Sequence, residues 1–309
     1  MSLILDTAAA VGVLFVLAAV GWLLAWRRQL VAASLPLLSL LALDVALACS
    51  VFASILERFD PAARPDWWTL PLWWLGFTAL SGLATLPAAW LAGGRLWREF
   101  AVCLFYPNAV FVPLAILTQT QGPDSPLLPD LFLLTLFFPA FFFGTAPLWF
   151  RPVRIRAAAA KFRHPVTLAT VAALVLKLAG AAPAVPRVLI GATRQLGLMS
   201  VPLLMIVIGA KLRLDAQSAA RRPPPWKQIA AFVLVKNVLF PAAALLLLRR
   251  LQLDSGLALL LYLQAAAPPI TSAPVIVERA GGDSAAANQL LVASFLASGL
   301  TLPLGLWLL

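Results

Sequence analysis

The stretch "AAAPPITSAPVIVERAGGD", residues 265–283, places Pro268, Pro269 and Pro274 inside an otherwise apolar segment. With its apolar flanks, this segment is long enough to cross a lipid bilayer. A proline in a helix interior removes a backbone donor and clashes with the preceding turn, at a cost of about 3 kcal/mol. Interrupted backbone at membrane depth is tolerated only where protein or a wet cavity satisfies it. The prolines therefore predict an interrupted helix at a binding site, and kinks that only shape packing are the alternative.

The composition indicates that lipid is the working solvent. The chain has 309 residues, of which 62% are hydrophobic and 11% charged, and its mean hydropathy is +0.94. Soluble domains are typically ~45–50% apolar and ~25% charged. The first apolar run is followed, not preceded, by its basic residues Arg27 and Arg28. We therefore interpret it as a retained first span and not as a secretory signal.

Long apolar runs are candidate transmembrane helices, and the chain contains ten of them. Their approximate bounds are 5–26, 35–56, 67–91, 100–120, 127–149, 165–182, 194–212, 229–248, 256–277 and 285–309. Transmembrane β-strands are short and alternate in polarity, unlike these uninterrupted runs. The sequence predicts an all-α integral membrane protein with ten transmembrane helices.

The distribution of basic residues predicts the orientation. Fifteen lysines and arginines fall in the loops on one side of the ten spans, and six fall on the other side. The six are Arg58, Arg64, Arg187, Arg194, Arg249 and Arg250. The positive-inside rule makes the richer side cytoplasmic, so both termini are expected to be extracytoplasmic in a cell inner or plasma membrane. The net charge of +11 then needs no nucleic acid as a partner.

The basic loop "RPVRIRAAAAKFRH", residues 151–164, divides the spans into two groups of five. We expect a first repeat over 1–150, a cytoplasmic linker over 151–164 and a second repeat over 165–309. Because each half has an odd number of spans, the second half enters the membrane from the opposite side. Inverted repeats of this kind are common in secondary transporters.

A repeat predicts that the fourth span is interrupted like the ninth. It reads "CLFYPNAVFVPLAILTQTQG", with Pro107 and Pro113 inside the span and Asn108 between them. The ends of interrupted helices present free N–H groups and a partial positive charge, which favour an anion. We expect the binding site to use polar and proline residues of the two spans, which are Pro107, Asn108, Pro113, Pro268, Pro269, Thr271, Ser272 and Pro274.

The last two spans resemble the end of the auxin efflux carrier family. The shared features are the proline pair, a short polar stretch, an acidic–basic pair, Gly-Gly-Asp and a final Thr-Leu-Pro. Here they are Pro268 with Pro269, Thr271 with Ser272, Glu278 with Arg279, residues 281–283 and residues 301–303. The second half is similar throughout, and the first half only weakly.

The resemblance implies a carrier of ten spans whose fourth and ninth helices cross at their interruptions, related in architecture to bile-acid symporters and sodium–proton antiporters. It also implies an organic anion as substrate, such as auxin, malate or malonate. Pro107 and Val110 stand where the family usually has glycine, Ser272 stands where it often has asparagine, and Pro274 replaces a usual aromatic. These departures leave the fold inference intact but not the choice of substrate.

Asp44 and Lys236 are ionisable residues inside predicted spans, where a charge is costly and usually faces the bundle interior. Asp44 is interpreted as a proton carrier or cation ligand, with a structural hydrogen bond as the alternative. Lys236 is expected to snorkel to the membrane surface, with coupling or substrate contact as the alternative. The few carboxylates favour a proton over sodium as coupling ion, or uniport.

Enzymatic function is not indicated, because the chain has one histidine and neither a "GxSxG" nor a "GxxxxGK[ST]" motif. Neither a cofactor nor a metal site is expected. The expected partners are a small organic anion, membrane lipid, and a proton or sodium ion; a homodimer is left open. A channel that uses the same interrupted helices as a pore is one alternative to a carrier. A non-transporting receptor or regulatory subunit is another.

Overall fold

The computed structural model describes residues 2–150, 164–219 and 224–309, and the elements named in them are helices. The α-helices of the first half are α1 Ser2–Trp26, α2 Leu35–Leu40, α3 Ala48–Arg58, α4 Leu70–Gly93, α5 Trp97–Phe105, α6 Phe111–Gln121, α7 Leu127–Leu134 and α8 Phe138–Thr145. Those of the second half are α9 Pro165–Leu178, α10 Arg187–Leu198, α11 Ser200–Ala219, α12 Trp226–Val233, α13 Phe240–Leu251, α14 Ser255–Ala266, α15 Ala273–Arg279 and α16 Ser284–Leu308. The predicted linker falls almost entirely outside the described residues.

Six helical stretches are long and apolar enough to cross a membrane. They are Ala32–Arg58, Trp67–Phe105, Leu127–Trp149, Arg187–Leu214, Trp226–Leu251 and Ser284–Leu308. Three shorter apolar helices accompany them, which are Val11–Trp26, Pro165–Leu178 and Ser255–Ala266. The predicted all-α membrane fold is confirmed at this level, and the count of ten stays a prediction.

The ends of the helices are set by ordinary capping residues. Asp254 accepts hydrogen bonds from the amides of Gly256 and Leu257 at the start of α14, and Asp283 caps α16 in the same way. Gly122, which has a φ of 86°, ends α6, since a left-handed turn without steric cost needs glycine. These signals fix where the half-helices around the interruptions begin and end.

Elements from the two halves of the chain pack against each other. In the first half, α1 lies against α11 and α16, while α3 lies against α9 and α10. Gly21 of α1 and Gly209 of α11 allow an especially close approach. A Cβ atom at either position would overlap a backbone carbonyl oxygen of the other helix. Small residues at such interfaces are typical of helix packing in membranes.

The outer surface of the bundle is apolar. Leu83, Leu91, Val188 and Leu300 are each more than two-thirds exposed, and an apolar exterior of this kind is stable in lipid but not in water. Exposed tryptophans also occur near helix ends, such as Trp26 at the end of α1, where aromatic side chains favour the membrane interface. The chain is a multi-pass membrane protein.

Candidate substrate-binding site where two interrupted helices meet

The interruption between α5 and α6 lies against the interruption between α14 and α15. Pro107 and Pro269 form an isolated antiparallel bridge. The amide of Asn108 donates to the carbonyl of Pro268 at 2.8 Å, and the amide of Ile270 donates to the carbonyl of Tyr106 at 2.9 Å. Each interruption therefore satisfies backbone groups of the other, which explains how unwound backbone persists inside an apolar bundle.

A side chain adds a third link between the two interruptions. Gln264, in the last turn of α14, is fully buried, and its Nε2 donates to the carbonyl of Ala109 at 2.8 Å. Sequence analysis missed this residue. The signal was a single amide side chain within "LLLYLQAAAPP", next to the proline pair. A buried amide in a membrane segment needs partners, and here its partner comes from the other half of the chain.

Two buried side-chain atoms at this meeting point have no hydrogen-bond partner. Asn108 is 1% exposed; its Oδ1 accepts from the amide of Phe111 at 3.3 Å, but its Nδ2 is unpaired. The Oε1 of Gln264 is also unpaired. An unsatisfied buried polar group costs about 1–3 kcal/mol. One unused donor and one unused acceptor therefore mark this point as a place where a polar ligand or water would be stabilised.

The structure separates the predicted prolines into two roles. Pro107, Pro268 and Pro269 lie in the interruptions themselves. Pro113 and Pro274 instead lie in the first turns of α6 and α15, where the missing N–H group is least costly. All five are buried. The last two therefore help to restart a helix beyond each interruption, which the sequence pattern alone did not distinguish.

The polar pair after the second interruption is half-buried. The carbonyl of Thr271 accepts a hydrogen bond from Nζ of Lys211 at 3.0 Å, and the carbonyl of Ser272 accepts from the amide of Ile276 at 3.1 Å. Because Ile270 is bonded to Tyr106, Thr271 and Ser272 follow within two residues of the meeting point. The predicted residues of both interruptions are thus brought into one region.

Lys236 lies in a π-helical segment, Leu234–Leu239, between α12 and α13. It is 1% exposed, so its side chain is buried in the bundle and does not snorkel to the membrane surface. Its Nζ donates to the carbonyl of Ala265 at 3.3 Å, next to Gln264. An amino group therefore lies at the edge of the second interruption, where its protonated form would be stabilised by an anion nearby.

Asp44 also lies in a π-helical segment, Leu41–Leu47, and such segments often occur at functional sites. Its Oδ1 lies 3.6 Å from Nε2 of His164, whose Nδ1 accepts from the amide of Val166 at the start of α9. Burial lowers the pKa of His164, and the nearby carboxylate of Asp44 partly opposes this shift. The contact of Asp44 is thus with α9 and not with the residues at the interruptions.

A cleft borders each half-helix that follows an interruption. The first has a volume of about 130 Å³ and is lined by Leu114, Thr118 and Gln119 of α6. The second, of about 100 Å³, is lined by Pro274 and other residues of α15, α11 and α16. Asn108 itself is almost inaccessible. The meeting point is therefore closed in this structure, although a cleft lies beside each half-helix.

A multi-pass bundle with interrupted helices bonded to each other has the construction of a membrane transporter. The chain belongs to the membrane transport protein family, which includes the auxin efflux carriers: the family model matches residues 120–306, more than half of the chain. The resemblance seen in the sequence is confirmed, and the family is one of transporters and not of enzymes. None of the curated proteins matches the chain. The matched region contains the second interruption, whereas the first lies outside it.

Proposed function

We propose that the chain is a secondary-active carrier that moves a small organic anion by alternating access, with the substrate held where the interrupted helices meet. The observation that carries this proposal is the unpaired Nδ2 of Asn108, buried beside the bonded interruptions. The start of α6, three residues further on, adds the partial positive charge of a helix N-terminus. A donor and a positive dipole end directed to one region favour an anion.

We further propose ten crossings arranged as two inverted repeats, over 1–150 and 165–309. Two features support it. One interruption falls in each half, and the two run antiparallel where they pair. The stretch Trp67–Phe105 has 39 residues, about twice what one crossing needs, and is divided at Gly94 with a φ of 55°. The bounds of α5 and α6 then make residues 97–121 an interrupted fourth crossing.

The proposed topology places both termini on the extracytoplasmic side, as the count of basic residues favours. Single cysteines introduced at Ser2 and within residues 157–160 should react with a membrane-impermeant thiol reagent from opposite sides of the membrane. Labelling of both positions from the same side would contradict the ten-span topology. The native Cys49 and Cys103 would first be replaced by serine or alanine.

Transport itself is tested with the purified protein in proteoliposomes. We expect uptake of radiolabelled malonate, malate or indole-3-acetate to saturate with concentration and to be stimulated by unlabelled substrate on the opposite side. A flux that neither saturates nor shows counterflow would support the channel instead. No flux of any tested acid, together with unchanged uptake in empty liposomes, would favour the receptor or regulatory subunit.

A further inference from the structure

The cleft beside α6, on the side that the proposed topology makes extracytoplasmic, contains charged residues that the crossing does not use. Arg58, at the end of α3, and Arg194, in α10, both donate to Oδ1 of Asp124 in the loop after α6, the second at 2.9 Å. Glu57 lies 4.0 Å from Arg58. Three elements from both halves of the chain are thus joined by two guanidinium groups on one carboxylate oxygen.

Arg58 and Asp124 differ in how deeply their side chains are buried. The side chain of Arg58 is 17% exposed, whereas that of Asp124 is 63% exposed and extends from a loop. Exposed ion pairs contribute little to stability, so Asp124 can leave at small cost and regain water. Arg58, which is mostly buried, and Arg194, which is 47% exposed, would then share only Glu57 nearby as a counter-charge among the described residues.

The same cleft also contains a buried polar group without a hydrogen-bond partner. Ser54 lines the cleft and is 2% exposed, and its hydroxyl has no hydrogen-bond partner. Thr118 and Gln119 add polar groups along the wall formed by α6. A buried hydroxyl without a partner costs free energy. Ser54 lies one turn before Arg58 on the same face of α3, so a polar ligand that reaches inward from Arg58 would satisfy it.

We propose that this cleft is an entry subsite for the carboxylate of the transported anion, in which Arg58 and Arg194 bind the carboxylate and Ser54 donates to it from below. Asp124 occupies the same place when substrate is absent. The proposal rests on the proposed anion carrier. Paired guanidinium groups match a carboxylate in charge and geometry. The cleft is smaller than pockets that enclose whole drug-sized ligands, so it takes the carboxylate end of the substrate.

The subsite lies between α6 and helices from both halves of the chain. Leu17 of α1, Val201 of α11 and Leu114 of α6 each form part of its wall. Leu114 is three residues beyond the first residue of α6, which follows the interruption. A carboxylate bound at the arginines is therefore at the outer end of the half-helix whose inner end begins at the candidate crossing site.

The test is ligand-induced thermal stabilisation of the whole protein in detergent, titrated with sodium malonate at constant ionic strength. Asp124→Asn removes the internal competitor. The malonate concentration for half-maximal stabilisation should fall about two- to fivefold. This change corresponds to about 0.4–1 kcal/mol, the upper part of the range for an exposed ion pair. Asp124→Glu, which keeps the competing charge, should behave like the unmodified protein.

Two further variants make the result specific. Adding Arg194→Gln to Asp124→Asn should abolish the gain, which is the increase in apparent malonate affinity. Asp66→Asn removes the same charge from an exposed aspartate that pairs with Arg64, outside the cleft, and should leave the titration unchanged. No gain in Asp124→Asn, a gain retained without Arg194, or an equal gain with sodium chloride in place of malonate would each overturn the proposal.

Because this assay measures binding, its failure is distinguishable from failure of the carrier. Malonate uptake with no gain in Asp124→Asn would leave the carrier intact and remove the subsite. A gain in Asp124→Asn that requires Arg194, without uptake of any acid, would leave the subsite and refute transport. The gain should also persist when Asn108→Ala is added, because the two sites lie at opposite ends of α6.

Discussion

The substitution Asn108→Ala has two opposite effects on the free energy of unfolding. The variant loses the hydrogen bond that Oδ1 accepts from the amide of Phe111, which resembles a helix cap with a value of about 1 kcal/mol. It also removes the unpaired Nδ2, whose burial costs about 1–3 kcal/mol. Because the two terms oppose each other, we expect the free energy of unfolding to change by no more than about 1 kcal/mol.

Substrate binding should respond much more strongly. If Nδ2 donates to an anionic substrate, its loss removes a hydrogen bond to a charged group, which contributes about 1.5–3 kcal/mol. The concentration for half-maximal malonate uptake should therefore rise about 10- to 150-fold. The measurements are saturation of uptake in proteoliposomes and the thermal unfolding midpoint of the same preparation. An unchanged half-saturation concentration would refute a role for Asn108 in binding.

Asn237 provides a matched control, because it is an equally buried asparagine with both ends of its amide satisfied. Its Nδ2 donates to the carbonyl of Ser294 at 3.0 Å, and its Oδ1 accepts from the hydroxyl of Ser294 at 2.8 Å. Asn237→Ala should lower stability by about 1–3 kcal/mol and leave the half-saturation concentration unchanged. Equal destabilisation by the two variants would mean that Asn108 is also structural.

Three other variants test packing, pH dependence and coupling. Gly21→Ala should destabilise the protein by about 1–3 kcal/mol through overlap with α11, whereas Gly12→Ala, in the same helix with open space around it, should not lower the unfolding midpoint. Burial lowers the pKa of His164 from 6.5, so the stability that it contributes is present above about pH 6.5 and lost as the pH falls. His164→Asn, which can still cap α9, should reduce this loss between about pH 7 and 5 in thermal unfolding. Asp44→Asn should abolish the response of uptake to an imposed pH gradient without large loss of stability, and an equal response would assign Asp44 a structural role.

The interruptions could be predicted from sequence because proline acts locally. A missing N–H group and a steric clash interrupt a helix wherever they occur, so Pro107, Pro268 and Pro269 locate both breaks without knowledge of the fold. The likeness between the two halves then indicated that the breaks form a pair. Which carbonyl each amide would meet depends on the crossing geometry, and no local pattern encodes it.

The partners of the buried polar side chains could not be predicted, because they come from distant parts of the chain. Gln264 bonds to Ala109, and Asp44 lies next to His164, more than 100 residues away in each case. For Lys236, the local sequence suggested a charge near the membrane surface. Burial instead depends on how α16 packs against this π-helical segment and on the hydrogen bond to Ala265 of α14, which only the assembled bundle determines.

Burial of Lys236 bears on the sign of the substrate charge. Arg58, Arg64 and Arg194 each pair with a carboxylate, whereas Lys236 donates to a backbone carbonyl. A carbonyl satisfies a hydrogen bond but supplies no counter-charge, so the protonated form of Lys236 is costly in an apolar interior. An anion bound at the meeting point would lower this cost, whereas a cation would raise it. In this arrangement, Asn108 supplies a directional hydrogen-bond donor and Lys236 favours a negatively charged substrate. A neutral amide analogue of the same shape should therefore bind less tightly than the acid.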